Sequence, residues 1–214
     1  MSVKTDTYAI LAENMIKKFK ERGMDAAYYA TGDEAVKAIM GEIPKGSTVT
    51  WGGSMTIEEM GLADAVRNSS DINFLDRGKA TTPEEKRKLY SEQTLADYFL
   101  MSANAISMDG QLVNIDGNGN RVACLIIGPE HVYVIAGMNK VEPDLDSAIK
   151  RARNIASPEN NVRLKKDHPC VKAGHCCDCL TPDCICNQIV ITRRNSGGST
   201  GRIKVILIGE ELGY

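Results

Sequence analysis

The chain has 214 residues, enough for one domain, or one domain with an appendage, that buries its own core without disulfides. Its 43% apolar and 25% charged residues exclude wholesale disorder. A net charge of −2 leaves no basic field for nucleic acid, no apolar run reaches the roughly 18 residues of a membrane helix, and the first residues carry no signal-peptide pattern.

A compact cytoplasmic protein is therefore expected, with no membrane and no nucleic-acid partner. Thr5 or Asp6 can cap a first helix whose apolar positions Tyr8, Leu11, Met15 and Phe19 follow helical spacing, and Gly23 ends it. A short strand at Ala26–Ala30 precedes a helix opened by Asp33 and broken by Pro44 and Gly46. Thr48–Trp51 reads as a β-rich strand, followed by Gly52-Gly53-Ser54 and a helical stretch from Thr56 to Val66. Ile72–Leu75 is another short strand. Thr82-Pro83-Glu84-Glu85 combines an N-cap, a proline at the first helical position and a capping-box glutamate, so it starts a helix carrying Leu89 and Leu95 inward.

The second half changes rhythm. Ser102–Met108, Asp109-Gly110 and Gln111–Ile115 predict a hairpin with a tight turn. A polar loop, Asp116 to Asn120, leads into a strand at Val122–Ile127, and Gly128-Pro129 turns the chain into a strand at Val132–Ala136. Pro143 begins a helix through Leu145, Ile149 and Ile155. Strands at Gln188–Thr192 and Ile203–Ile208 close the chain, separated by a Gly/Ser-rich loop. No repeat and no long linker divides it. The pattern predicts a single α/β domain over 1–214, its sheet mixing a parallel N-terminal βαβ part with an antiparallel C-terminal part, flanked by helices, and a cysteine-rich insertion at 168–187.

A strand ending in glycines and feeding a helix suits an anionic ligand, because small residues let backbone N–H groups approach and the helix start adds positive potential. The segment Gly52, Gly53, Ser54, Met55 and Thr56 has that form, though it is neither a dinucleotide fingerprint nor a triphosphate loop. Glu58 and Glu59 follow on the first turn and are the candidate general bases; the plain alternative is a tight turn with acids complementing the helix dipole. In the next loop Asp116, Asn118 and Asn120 mimic the start of a calcium site, but Arg121 stands where its glycine belongs and Ile127 where its glutamate belongs, so calcium is rejected. A simple turn is one reading of this loop. The other has Arg121 gripping a carboxylate or phosphate, with Asn104, Asn114 and Asn120 donating nearby.

Cys124 stands alone among the 7 cysteines; the others fall between positions 170 and 186. Cys176-x-x-Cys179 lets two thiolates bind one ion through a single turn, and Cys170 and Cys186 are close enough to complete a four-thiolate shell. Cys177 and Cys184 are spare by that choice, with His168 and His175 as nitrogen donors in reserve. Zinc and an iron–sulfur cluster both accept four thiolates, and the spacing does not decide between them; the plain alternative is a reduced loop.

Trp51 to Glu59, Ser102 to Ile106 continuing through Asp109-Gly110 to Arg121, Gly128-Pro129 with Val132–Gly137, and Ile203–Tyr214 together resemble the lactate-utilisation (LUD) domain family, over nearly the whole chain. In this resemblance the cysteine segment matches short, stand-alone members, with Cys170, Cys176, Cys179 and Cys186 as the recurring positions. It implies a fold similar to the sugar isomerase and CoA-transferase group (NagB/RpiA/CoA-transferase-like), with ligands over the strand ends near the glycine turn. It also implies an auxiliary role in oxidising lactate or a related 2-hydroxy acid beside iron–sulfur oxidoreductase subunits. Two other functions stand against that one: an enzyme of the isomerase, transferase or cyclo-ligase kind acting on an anionic small molecule, and a non-catalytic ligand or redox sensor. A homodimer is left open.

Overall fold

The computed structural model describes residues 3–214. In chain order its elements are α1 (Val3–Glu21), β1 (Asp25–Tyr29), α2 (Gly32–Glu42), β2 (Thr48–Trp51), α3 (Met55–Glu59), α4 (Leu62–Asn68), β3 (Asn73–Phe74), α5 (Pro83–Gln93), β4 (Tyr98–Met101), β5 (Ala105–Ser107) and β6 (Leu112–Asp116). There follow α6 (Asn120–Ile126), β7 (His131–Gly137), β8 (Val141–Glu142), α7 (Leu145–Arg151), α8 (Ser157–Arg163), α9 (Pro169–Ala173), β9 (Gln188–Thr192) and β10 (Ile203–Ile208). The parallel and antiparallel parts form two separate sheets. Six strands in the order β1-β10-β7-β4-β2-β3 are parallel throughout, while β8-β5-β6-β9 make a smaller mixed sheet.

The six-stranded sheet is buried on both faces, and the pleat sorts its side chains. Phe99, Met101, Val132, Val134, Val205 and Leu207 pack on one face against Met15 and Phe19 of α1. Tyr98, Leu100, Tyr133, Ile135, Ile206 and Ile208 pack on the other against Ile39 of α2, Ile57 of α3, and Leu62 and Val66 of α4. Ala105, Val113 and Ile115 of the small sheet meet Ala148 and Ala152 in a third cluster.

Several elements differ from the sequence expectation. Thr5 and Asp6 lie inside α1, which has already begun at Val3. The stretch Thr56–Val66 is two helices, because Gly61 at φ 78° breaks it. Leu95 lies beyond the end of α5 and is 84% exposed, whereas Leu89 is buried; the Thr82–Glu85 capping box itself is present. Tyr98–Met101, unassigned from sequence, is a central strand. Val122–Ile127 is not a strand: it is the helix α6, entered from Gly119 at φ 79°, with Val122, Cys124 and Leu125 inward and Ile126 and Ile127 exposed. A short apolar run fits either period, and here the chain takes the helical one. The helix after Pro143 runs much further than Ile155, through a π-helical turn at Ala152–Ala156 into α8. Pro158 has no N–H to return to the carbonyl of Asn154, and the Ser157 N–H and hydroxyl both donate to Ala152 O instead. Among the described residues no helix is long and apolar enough to cross a membrane.

Candidate functional site

The carboxyl ends of β2, β4 and β7 open into a cleft of about 560 Å³ whose opposite wall is built by β6, α6, α8 and the cysteine segment. Open parallel sheets bind ligands at this end, where the loops that follow the strands converge. Gly53, Ser54 and Met55 enter from β2, Ser102 to Asn104 from β4, and Lys140 from the turn after β7. Five cations line the cleft, Arg77, Arg121, Lys140, Arg163 and Lys166, against the carboxylates of Asp116 and Asp183. The wall therefore favours an anion.

Lys140 is the least conventional of these groups. It is 3% exposed, and its Nζ donates to Thr56 Oγ1 at 2.8 Å and Ser102 Oγ at 3.1 Å. No carboxylate among the described residues forms an ion pair with it. Burial, and then the neighbouring Arg151 and Arg121, push its ammonium down to about 7. Glu59 and Glu159 oppose that shift only from beyond ion-pair distance, and a buried amine beside two hydroxyls without an ion-paired carboxylate is ready to meet an anion or to act as a neutral base or nucleophile.

Arg121 does not have the free fork expected from sequence. Its guanidinium donates to Ser102 O (2.7 Å), Asn114 Oδ1 (2.9 Å), Asn104 Oδ1 (3.0 Å) and Ile115 O (2.7 Å), and Nε lies 3.5 Å from Asp116 Oδ2. It clamps the loop after β4 to β6, and Asn104 and Asn114 turn their acceptor oxygens to it rather than to a ligand. Gly52 serves this clamp: a Cβ there would sit 2.6 Å from Arg121 Cγ. Gly53 admits Arg77 in the same way, with Arg77 Nη1 at 3.1 Å from the equivalent point.

The other predicted residues separate. Ser54, Met55, Asn104, Asn120 and Arg121 line the cleft with Gly53, and Thr56 stands behind it, buried and bonded to Lys140. Ser54 Oγ caps α3 by accepting from Ile57 N at 3.3 Å. That helix has five residues, so side chains rather than a helix dipole supply the positive charge. Glu58 and Glu59 do not line the cleft: Glu58 pairs with Arg67 at 3.0 Å, and Glu59 accepts from Gly213 N at 2.6 Å. A general-base role for either has no geometric support, because α3 turns both away. Lys140, Ser102, Arg77 and Arg163 were missed. Lys140 had one usable signal, its place three residues beyond Gly137 at the carboxyl end of an apolar strand.

Cys170, Cys176, Cys177, Cys179, Cys184, Cys186 and His168 line a second cavity of about 180 Å³, which shares Ile115, Ser157 and Cys184 with the first. His168 is 1% exposed and its Nε2 has no hydrogen-bond partner; nor does the buried Asn161 Oδ1 on the same wall. Cys176 Sγ accepts from Asp178 N at 3.5 Å, a bond made with Asp178 at φ 50°, and from Arg153 at 3.6 Å. Cys184 Sγ accepts from Cys186 N at 3.4 Å. Such N–H···S contacts suit thiolates. Among the described residues no three His, Cys, Asp or Glu side chains already converge at ligand spacing. The donor set is right for a soft metal; its gathering into one shell is not preformed.

A model of the LUD domain family matches residues 12–208. The fold is similar to a crystal structure of a DUF162 family protein from Deinococcus radiodurans at 1.70 Å resolution, with a TM-score of 0.56 at 12% sequence identity, covering 94% of this chain and 98% of that one. No curated protein matches the chain.

Proposed function

This chain belongs to the LUD domain family, and we propose that it binds a small organic anion of the 2-hydroxy-acid or 2-oxo-acid class in the cleft beyond β2, β4 and β7, as an auxiliary component of lactate-type utilisation. The observation that carries this reading is Lys140, buried without an ion-paired carboxylate at the wall of a cleft lined by five cations against two carboxylates. A carboxylate entering there finds Arg77 at the mouth and Lys140 at depth, while Arg121 keeps Ser102 and Asn104 in place. For the isomerase or transferase alternative, the candidate bases Glu58 and Glu59 stand outside the cleft lining. Thermal-shift and calorimetric titration with lactate, pyruvate, glycolate and inorganic phosphate test the reading. Stabilisation by the organic acids, lost in Arg77→Ala and Lys140→Met, is expected. Equal indifference to every acid overturns it.

A second reading rests on the orphaned His168 Nε2 facing the thiols. Cys170, Cys176, Cys179 and Cys186 would hold zinc or an iron–sulfur cluster, with His168 as a donor in reserve. When bound, a cluster would supply one-electron transfer beside the cleft, toward iron–sulfur partner subunits, whereas zinc would hold the segment in place. Anaerobic purification with metal analysis and a visible spectrum separates these outcomes.

A further inference from the structure

A lysine held for charge alone ordinarily faces a carboxylate. Lys140 instead faces two hydroxyls whose own protons are already committed, Thr56 Oγ1 to Leu212 O at 3.1 Å and Ser102 Oγ to Ala103 O at 3.2 Å. Each hydroxyl therefore presents a lone pair to Nζ. A neutral amine has two N–H groups and one lone pair, and these two acceptors use both N–H groups. The lone pair is left as the remaining direction, in a side chain that lines the cleft.

We propose that Lys140 forms a covalent imine with a small 2-oxo acid in the cleft, a step that rests on the cleft's binding an organic anion. The Nζ lone pair attacks the carbonyl carbon while the C=O π pair moves to oxygen, which takes up a proton as nitrogen gives one up, leaving a carbinolamine. The nitrogen lone pair then forms C=N as the hydroxyl leaves with a proton as water. Amine and ketone thus become imine and water, with no oxidant or reductant consumed. Arg77, at the edge of Gly53 and without a polar partner among the described residues, is placed to hold the carboxylate. The buried setting that keeps much of the amine unprotonated near neutral pH is the one imine-forming lysines use.

The full chain is incubated with pyruvate or glyoxylate, reduced with sodium borohydride, and read by intact mass and peptide mapping. One reduced adduct at Lys140 is expected, saturating with pyruvate and slowed by lactate, which has no 2-oxo group to condense. Lys140→Arg, which loses the nucleophile, should give none. Adducts scattered over exposed lysines, or no adduct, overturn the imine, and the wild-type peptide map decides this whether or not the variant folds. If pyruvate still raises the melting temperature in that case, the anion cleft survives without its covalent step. If neither pyruvate nor lactate shifts it, both readings fall.

Discussion

Lys140 and Thr56, 84 positions apart, meet through a 2.8 Å hydrogen bond from Nζ to Oγ1 at the carboxyl edge of the parallel sheet. The contact exists because β2 and β7 both end there, with β4 between them carrying Ser102 to the same point. It places a cation in a setting that opposes its charge, which makes it measurable.

Replacing Lys140 with Met should change how stability depends on pH. The folded pKa is about 7 and the unfolded value 10.5, so between them the unfolded chain binds the extra proton. Wild-type stability therefore gains from this group as pH rises through that window, and bears its full cost below about 7. The melting-temperature difference between Lys140→Met and wild type should be most favourable to the variant at pH 6 and shrink toward pH 10. A difference that stays flat across the window would show that the amine titrates normally.

Gly52→Ala tests the Arg121 clamp. A Cβ would lie 2.6 Å from Cγ and 2.7 Å from Cδ of a side chain that cannot swing away without losing its hydrogen bonds. A loss of about 1–3 kcal/mol in chemical denaturation is expected, as for overpacking elsewhere, together with weaker carboxylate binding as Ser102 and Asn104 loosen.

Glu58→Gln should leave ligand-induced melting shifts unchanged. Its carboxylate is spent on Arg67 on an exposed face, where an ion pair is worth about 0–1 kcal/mol. Loss of the shift in this variant would return the acid to the site.

In the metal-bound reading, wild type purified without oxygen should contain stoichiometric metal, Cys170→Ser and Cys179→Ser should each lack it, and chelation should lower the wild-type melting temperature. Cys177→Ser, at an exposed thiol outside the four-residue set, should keep it. Metal-free wild type with all thiols titrating would reduce the segment to a structural loop.

Much of the frame was legible one element at a time. The Thr82–Glu85 box, the strand Thr48–Trp51 and the hairpin around Asp109-Gly110 follow from local rules, since caps, glycine turns and alternation act within a few residues. Val122–Ile127 was misread because a run that short carries no period, and only Gly119 and the sheet beneath it select the helix. Leu95 was placed inward by spacing alone, but α5 stops before it. The family resemblance and the glycine turn located one lip of the cleft.

By itself the sequence determined the class of fold, the glycine edge of the site and a cysteine segment rich in soft donors, because those are properties of neighbouring residues. Tertiary structure decided what each polar group does. It spent Arg121 on Asn104, Asn114 and two carbonyls, turned Glu58 and Glu59 outward, and set Lys140 between Thr56 and Ser102 without an ion-paired carboxylate. Charge and hydrogen bonding depend on which groups lie within a few ångströms, and in a parallel sheet those neighbours come from strands far apart in the chain.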